Sequence, residues 1–436
     1  MRKLLLGGTA IAAAALYAPT GALAQAADPF NTAGPPMLSH RLLEVRVGGY
    51  FRFYYTYTDQ DFASVAGLST GKSDFLNETE IHVVANGKAA NGLRYGVALE
   101  IQNDSIAQTS TPTSGSGTPK TTLDLDEAWG FIAGSFGQLR FGDEDTVLGL
   151  MSTGHITNFA TGALDGDFYD SLIAPLRPQL NQTSDPGDNT KIIYMSPQFF
   201  GFDAGVSFAF NQGESDREGC VTGPAGFSGS GINTSCDRLS AAPGGLLRRR
   251  NEITAMLRWR GSFGPVGLGA HVGYFGADAI KNTTGPSGDR LHMGLAGAQI
   301  TAYGLTAGGW FQWGRANANF TPIANAGDDR NMSAYYLAAS YTIDALTVGA
   351  AYGGVYSAGN QGATTGGRRD LGFNVGLTYR IAPGLEFVAE YTNIRRREGG
   401  FNFLTNAANS GLPGDTRGTN SRIEADVFLT GFRFAF

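Results

Sequence analysis

Eight carboxylates, Asp143, Glu144, Asp145, Asp165, Asp167, Asp170, Asp185 and Asp188, fall in one stretch that holds Arg177 as its sole Arg or Lys. Side chains of this type at this density either draw cations out of solution or chelate one. The spacing of Asp165, Asp167 and Asp170 is not that of an EF-hand loop, so no metal site is expected there. Covalent chemistry is not expected either. His40, His82, His155, His271 and His292 form no His-Glu-x-x-His pair, and no Gly-x-Ser-x-Gly elbow occurs. Gly67 to Ser73 resembles a phosphate loop but has one residue too few between its glycines. The chain reads as a non-enzyme that needs no cofactor.

The elements that must carry these residues show strict period-two alternation. From Glu44 onward Val45, Val47, Phe51, Phe53, Tyr55 and Tyr57 share one face, while Arg46, Arg52 and Thr56 share the other. A run of more than ten alternating residues exceeds most globular strands and suits a tilted strand crossing a bilayer, which needs about 9 to 11 residues. Sixteen such segments are expected, over 44–58, 76–88, 92–103, 121–133, 135–146, 190–197, 202–211, 249–260, 265–275, 290–302, 305–315, 332–343, 346–357, 370–381, 385–397 and 422–436. Long polar connections follow the odd-numbered segments and short turns follow the even ones, the rhythm of an outer-membrane barrel. Segment 290–302 breaks the alternation, so a bulge or register change is expected there. Trp259 and Tyr379 near short turns, and Tyr57, Tyr274 and Trp313 near long connections, would form two interfacial girdles.

Composition agrees. Of 436 residues 63 are Gly, charged residues make up only 16%, and aromatics reach 11%. No run of about 18 apolar residues follows the first 30 positions, which excludes helical spans. A formal charge of −6 without a polybasic block argues against nucleic acid. The N-terminus has Arg2 and Lys3, an apolar stretch from Leu4 to Tyr17 and the small-residue site Ala22-Leu23-Ala24, which together read as a secretory signal peptide over 1–24. Cleavage after Ala24 is expected, with Ala26 as the alternative. Pro29, Pro35 and Pro36 then mark residues 25–43 as a periplasmic tail before a barrel over 44–436. Cys220 and Cys236, with fifteen residues between them in a Gly/Ser-rich stretch, read as a loop disulfide in an exported protein.

Several stretches resemble the general porins of Gram-negative outer membranes. Trp129 to Gly142 is similar to a hairpin with a Gly-x-Phe-Gly turn before the constriction loop, and Tyr194 to Ala209 looks like the family's Y-x-SP-x-F-x-GF turn. Gly431, Phe434 and Phe436 match the C-terminal signal read by the barrel assembly machinery, with Leu429 at a position that is usually polar. The resemblance implies an all-β fold, a 16-stranded antiparallel transmembrane β-barrel with an inward-folded third outer loop, here about residues 144–189. It also implies a homotrimer embedded in outer-membrane lipid that passes small hydrophilic solutes and ions.

Pleat parity turns Arg52 and Arg140 inward near mid-strand, and Arg46 and Arg94 inward nearer the periplasmic end. By the resemblance these arginines form the basic pore wall and face Asp165, Asp167 and Asp170 of the acidic constriction; the excess of loop carboxylates over Arg52 and Arg140 then leads us to expect a weakly cation-selective passive channel. The plainer alternative is arginines wetted by the lumen or paired with Glu78, Glu80 or Glu100. A substrate-specific channel of the same architecture, or a barrel acting as an adhesin or receptor through its outer loops, remains as a second reading. Non-reducing peptide mapping is expected to find the Cys220 and Cys236 peptides linked, and two freely alkylated thiols in the native protein would exclude the bridge.

Overall fold

The computed structural model describes residues 43–62, 64–65, 69–102, 124–173, 180, 186–212, 249–281, 288–323, 330–360, 366–404, 407–408 and 420–436. The expected signal peptide, the tail up to residue 42, Cys220 and Cys236, and Arg177 and Asp185 lie outside them.

The first strand shows why the chain folds as it does. In β1 (Glu44–Gln60) Tyr50, Arg52, Tyr54, Thr56, Thr58 and Gln60 are buried, whereas Val45, Val47, Phe51, Phe53 and Tyr57 are exposed. This is a water-soluble strand turned inside out, with the apolar phase facing away from the body of the protein. Only an apolar solvent makes that arrangement favourable, since each exposed aromatic would otherwise cost about 1.5–3 kcal/mol of lost burial. Hydrocarbon in turn offers no partner to backbone N–H and C=O groups, so the sheet must close and leave no edge.

It closes with sixteen strands. After β1 come β2 (Ser73–Lys88), β3 (Arg94–Gln102), β4 (Asp124–Gly134), β5 (Gly137–Glu144), β6 (Asn189–Met195), β7 (Phe202–Asn211) and β8 (Arg249–Phe263). The second half comprises β9 (Val266–Ala279), β10 (Leu291–Ala302), β11 (Leu305–Arg315), β12 (Met332–Ile343), β13 (Leu346–Ser357), β14 (Arg368–Ala382), β15 (Leu385–Glu398) and β16 (Arg422–Ala435). Every strand pairs antiparallel with its sequence neighbours, and β1 pairs with β16. Among the described residues no helix is long and apolar enough to cross a membrane. The strands meet the sixteen expected segments one for one. At one end they are joined by tight turns such as Tyr303-Gly304, where φ values of 50° and 86° give the twist that suits a two-residue hairpin.

The expected irregularity in segment 290–302 is not found. Strand β10 pairs without a break from Leu291 to Thr301 with β9, and from His292 to Ala302 with β11. Register shifts fall instead at Glu100/Ile101, Arg250/Ile253 and Arg380/Ala382. The apparent break in β10 has another cause: Leu291, Met293 and Leu295 are buried on the enclosed face, where apolar side chains from another segment cover them.

The seam between β1 and β16 closes the ladder. It runs from Tyr50↔Ala435 to Gln60↔Ala425, and Gly49 and Phe436 exchange reciprocal backbone hydrogen bonds of 3.0 and 3.1 Å. Phe434 lies against Phe51 with ring centroids 6.0 Å apart on the outward face. Gly431 sits opposite Tyr54, and a Cβ there would collide with the Phe53 carbonyl and approach the Tyr54 Cα to 2.8 Å. The seam has no room for a side chain at that point. Gly431→Val is therefore expected to cost at least about 1–3 kcal/mol in overpacking and to reduce the heat-modifiable folded band on gels; an unchanged folded yield would show that the seam relaxes freely.

Candidate functional site

The connection between β5 and β6 carries most of the acidic run. Its first turn, α1 (Val147–Leu150), is capped by Thr146, whose hydroxyl accepts from the Leu148 N–H at 3.1 Å. Two 3₁₀ turns follow, Ala163–Asp165 and Asp167–Ser171. What holds this segment is apolar. Val147, Leu148, Met151, Ile156, Phe159 and Leu164 are buried in one cluster with Met256, Phe275, Met293, Leu295, Trp310 and Tyr336, which stand on the enclosed faces of β8 to β12. Further along, Phe168 and Leu172 pack with Ile394 on β15 and Ile423 and Val427 on β16.

Polar contacts extend the attachment from strand to strand. The Thr153 N–H donates to His271 Nδ1 on β9 at 3.0 Å, and the Gly154 N–H to Gln299 Oε1 on β10 at 3.3 Å. Trp310 Nε1–H on β11 donates to His155 Nδ1 at 3.2 Å, while the His155 ring stacks on Tyr336 of β12 at a centroid distance of 4.9 Å. Tyr336 donates its hydroxyl to the Ile156 carbonyl. The Thr161 hydroxyl donates to Glu390 Oε1 on β15 at 2.7 Å, and the Thr161 N–H donates to Oε2 at 3.3 Å. Thr161 Oγ1 also accepts from the Asp167 N–H at 3.0 Å, which sets the entry of the second 3₁₀ turn. On β1, Gln60 Oε1 accepts the Ile173 N–H at 3.0 Å.

The expected charged residues are placed as follows. Asp167 meets Arg52, with Nη1 to Oδ1 at 3.1 Å; the same Nη1 also donates to Glu78 at 3.0 Å, and the guanidinium lies 4.0 Å from the Tyr50 ring centroid. Asp165 lies 3.4 Å from His155 Nε2. Burial pushes the Asp165 carboxyl above the usual carboxylate range, with the His155 contact opposing. Asp170 is half-buried on the same turn as Asp167. Arg140 is buried but engages Glu144 and lies 4.3 Å over the Trp129 ring. Arg46 pairs with Glu44 at 2.6 Å near the short-turn end, and Arg94 is exposed at the start of β3. Of the four arginines, Arg52 alone is brought to one of the three named aspartates in these contacts.

Sequence reasoning did not anticipate the parts played by Glu390, Thr161, His155, Trp310 and Tyr336. The available signal was in β10: apolar residues on the phase that polar residues should occupy mark the patch of wall where an apolar segment rests. Glu80, His82 and Glu100 bring donor atoms within 4.8 Å of one another, as do Glu127, Asp145 and Asp188. Glu80 already accepts from Tyr50 at 2.8 Å and contacts His82, so its oxygens serve protein partners.

A closed barrel of sixteen strands with apolar residues outward and charged residues enclosed has the architecture of a bacterial outer-membrane channel. A family model described as Gram-negative porin matches residues 9–399, and the chain belongs to that family. It is thus an outer-membrane protein of passive transport rather than an enzyme. No curated protein matches the chain in sequence. Among solved structures it is similar to the anion-selective porin from Comamonas acidovorans, at 13% identity over 91% of this chain and 100% of that one, with a TM-score of 0.53. OmpF of Salmonella typhi, in complex with daunomycin, is also similar, at 13% identity over 90% and 97% of the two chains and a TM-score of 0.51. At such identities the likeness speaks for the fold alone.

Thr161 is the polar residue on which the attachment at β15 turns. Thr161→Val is expected to remove the 2.7 Å bond to Glu390 and leave a buried carboxylate short of a donor, a cost of about 1–3 kcal/mol. Faster proteolysis within 145–173 and noisier single-channel current are the expected readouts, and wild-type behaviour in both would deny Thr161 that role.

Proposed function

We propose that this porin is a general diffusion channel of weak cation preference, whose 144–189 connection folds into the barrel as the third outer loop and narrows the lumen. The observation that carries the reading is the ring of contacts made by residues 147–173 with the enclosed faces of β1, β8 to β12, β15 and β16. Sixteen strands alone leave a wide aqueous channel, so a segment laid across the enclosed face supplies the size limit.

In this reading Asp165, Asp167 and Asp170 line the eyelet and Arg52 stands on the facing wall. Charge balance favours cations. The acidic run carries eight carboxylates against one Arg, while on the facing wall Arg140 is neutralised by Glu144 and Arg52 is shared between Glu78 and Asp167. The preference is modest, because charges farther than a Debye length of about 8–10 Å from the ion are screened at physiological salt. Three copies packing through apolar outer faces, export by cleavage after Ala24 or Ala26, and insertion by the assembly machinery through Gly431, Phe434 and Phe436 complete the proposal.

Replacing Asp165, Asp167 and Asp170 by Asn lowers the local negative potential with little change in volume. It also releases Arg52 from one of its two carboxylates. The zero-current potential in a salt gradient is expected to shift toward anion preference, more strongly at low salt. Lowering the pH of the wild-type protein should act in the same direction and begin above the ordinary carboxylate range, because burial raises Asp165. An unchanged reversal potential in the triple variant would place these residues away from the eyelet, and an anion-selective parent would mean that the basic wall dominates.

A further inference from the structure

Three arginines stand abreast on the outward face of the barrel, at the end that carries the long connections. Arg369 on β14 is in register with Arg397 on β15, and Arg397 with Arg422 on β16. All three are exposed. Neighbouring strands lie about 4.8 Å apart, so the three guanidinium groups spring from a strip about 10 Å wide. Like charges directly opposite one another in a sheet repel. Little on the row offsets them: Tyr356, in register with Arg369, presents its ring 5.0 Å away. Arg422 reaches Glu424 at 3.5 Å, but Glu424 is held more closely by Arg395 at 2.8 Å. Arg369 and Arg397 have no carboxylate partner among the described residues.

Toward the membrane the same strands change character. The next outward row, Leu371, Arg395 and Glu424, is balanced; the one after it holds Phe373, Asn393 and Asp426, whose carboxylate accepts from Tyr391 and Asn393, and the row beyond is apolar with Val375, Tyr391 and Phe428. There the outer wall is indented by a furrow of about 590 Å³ bordered by Tyr341, Val348, Val375, Leu377, Ala389 and Tyr391. Arg397 and Tyr391 are six residues apart on β15, about 20 Å of strand. A cationic strip whose one counter-charge, Glu424, is shared with Arg395, standing above an apolar furrow, matches an amphiphile with a multiply charged anionic head and a long hydrocarbon tail.

We propose that this face binds a phosphorylated lipid of the outer leaflet, its phosphate groups held by Arg369, Arg397 and Arg422 and an acyl chain lying in the furrow. Guanidinium forks grip phosphate oxygens in pairs, and three of them suit a dianionic phosphate better than a single carboxylate. The bound headgroup removes the repulsion that the register imposes.

The test uses the full-length protein in a non-ionic detergent, with dimyristoyl phosphatidic acid as the probe and native mass spectrometry as the readout. Phosphatidic acid should bind at least about tenfold more tightly than dimyristoyl phosphatidylcholine, a factor that corresponds to about 1.4 kcal/mol. The triple variant Arg369→Gln, Arg397→Gln, Arg422→Gln should abolish that margin, with folding checked by heat-modifiable migration. If the triple variant does not fold, Arg397→Gln alone decides, and a weaker phosphatidic acid complex is expected. Ala389→Trp should weaken phosphatidic acid while leaving inorganic pyrophosphate unaffected. Equal binding of the two lipids, wild-type affinity in the arginine variants, or pyrophosphate displacing phosphatidic acid at equal concentration would overturn the proposal; the last would mark a site for free phosphate instead.

Discussion

The constraint on which everything else rests is that hydrocarbon cannot hydrogen-bond a peptide group. Each strand must find partners on both sides, so the first and last strands must meet, and Gly49, Gly431 and Phe436 sit where they do so. Closure then divides every strand into two phases with different solvents. The outward phase takes Phe, Tyr, Val and Leu because lipid rewards nothing else there. The enclosed phase takes arginines, carboxylates and hydroxyls, which bridge to one another across strands as in Arg258 to Asp203 at 2.6 Å and Arg396 to Asp370 at 2.8 Å.

That division made the barrel legible in the amino-acid order. Period two is a direct imprint of two solvents on one strand, and the alternation of long and short connections is an imprint of the two sides of a membrane. The strand number follows from both. Where the sequence misled, as in β10, the two-solvent rule was locally untrue. Met293 and Leu295 face neither lipid nor water but the side chains of Leu148 and its neighbours. An apolar residue on the enclosed phase is indistinguishable in sequence from a slipped register, because both put a hydrophobe on the unexpected parity. Only knowledge of what covers the wall separates them.

The charged contacts were less legible than the fold, for a different reason. Parity says which way Arg52 and Arg140 point, and both are buried on the enclosed side as parity requires. It does not say which carboxylate each will reach. Arg140 has Glu144 four residues ahead on the same strand and takes it, whereas Arg52 reaches across to Glu78 on β2 and to Asp167 from the β5 to β6 connection. The partner of Asp165 proved to be a histidine from its own segment, held in place by Trp310 and Tyr336. Such choices depend on where an irregular segment lies, and irregular segments leave no periodicity to read.

The way the segment from 147 to 173 is attached has a consequence for what its charges can do. The ion pair from Asp167 to Arg52 adds little net hold, because both groups are largely buried and the desolvation of two charges offsets much of their attraction. An apolar contact carries no such cost, and side chains such as Leu148, Phe159 and Leu164 are each worth about 1.5–3 kcal/mol when fully buried. The apolar side therefore fixes position, leaving the polar side free to carry a charge pattern set by other demands. The segment keeps its place by Leu148, Phe159 and Leu164 on the wall rather than by the charges of Asp165 and Asp170. Charge and attachment are to that extent separable in this design.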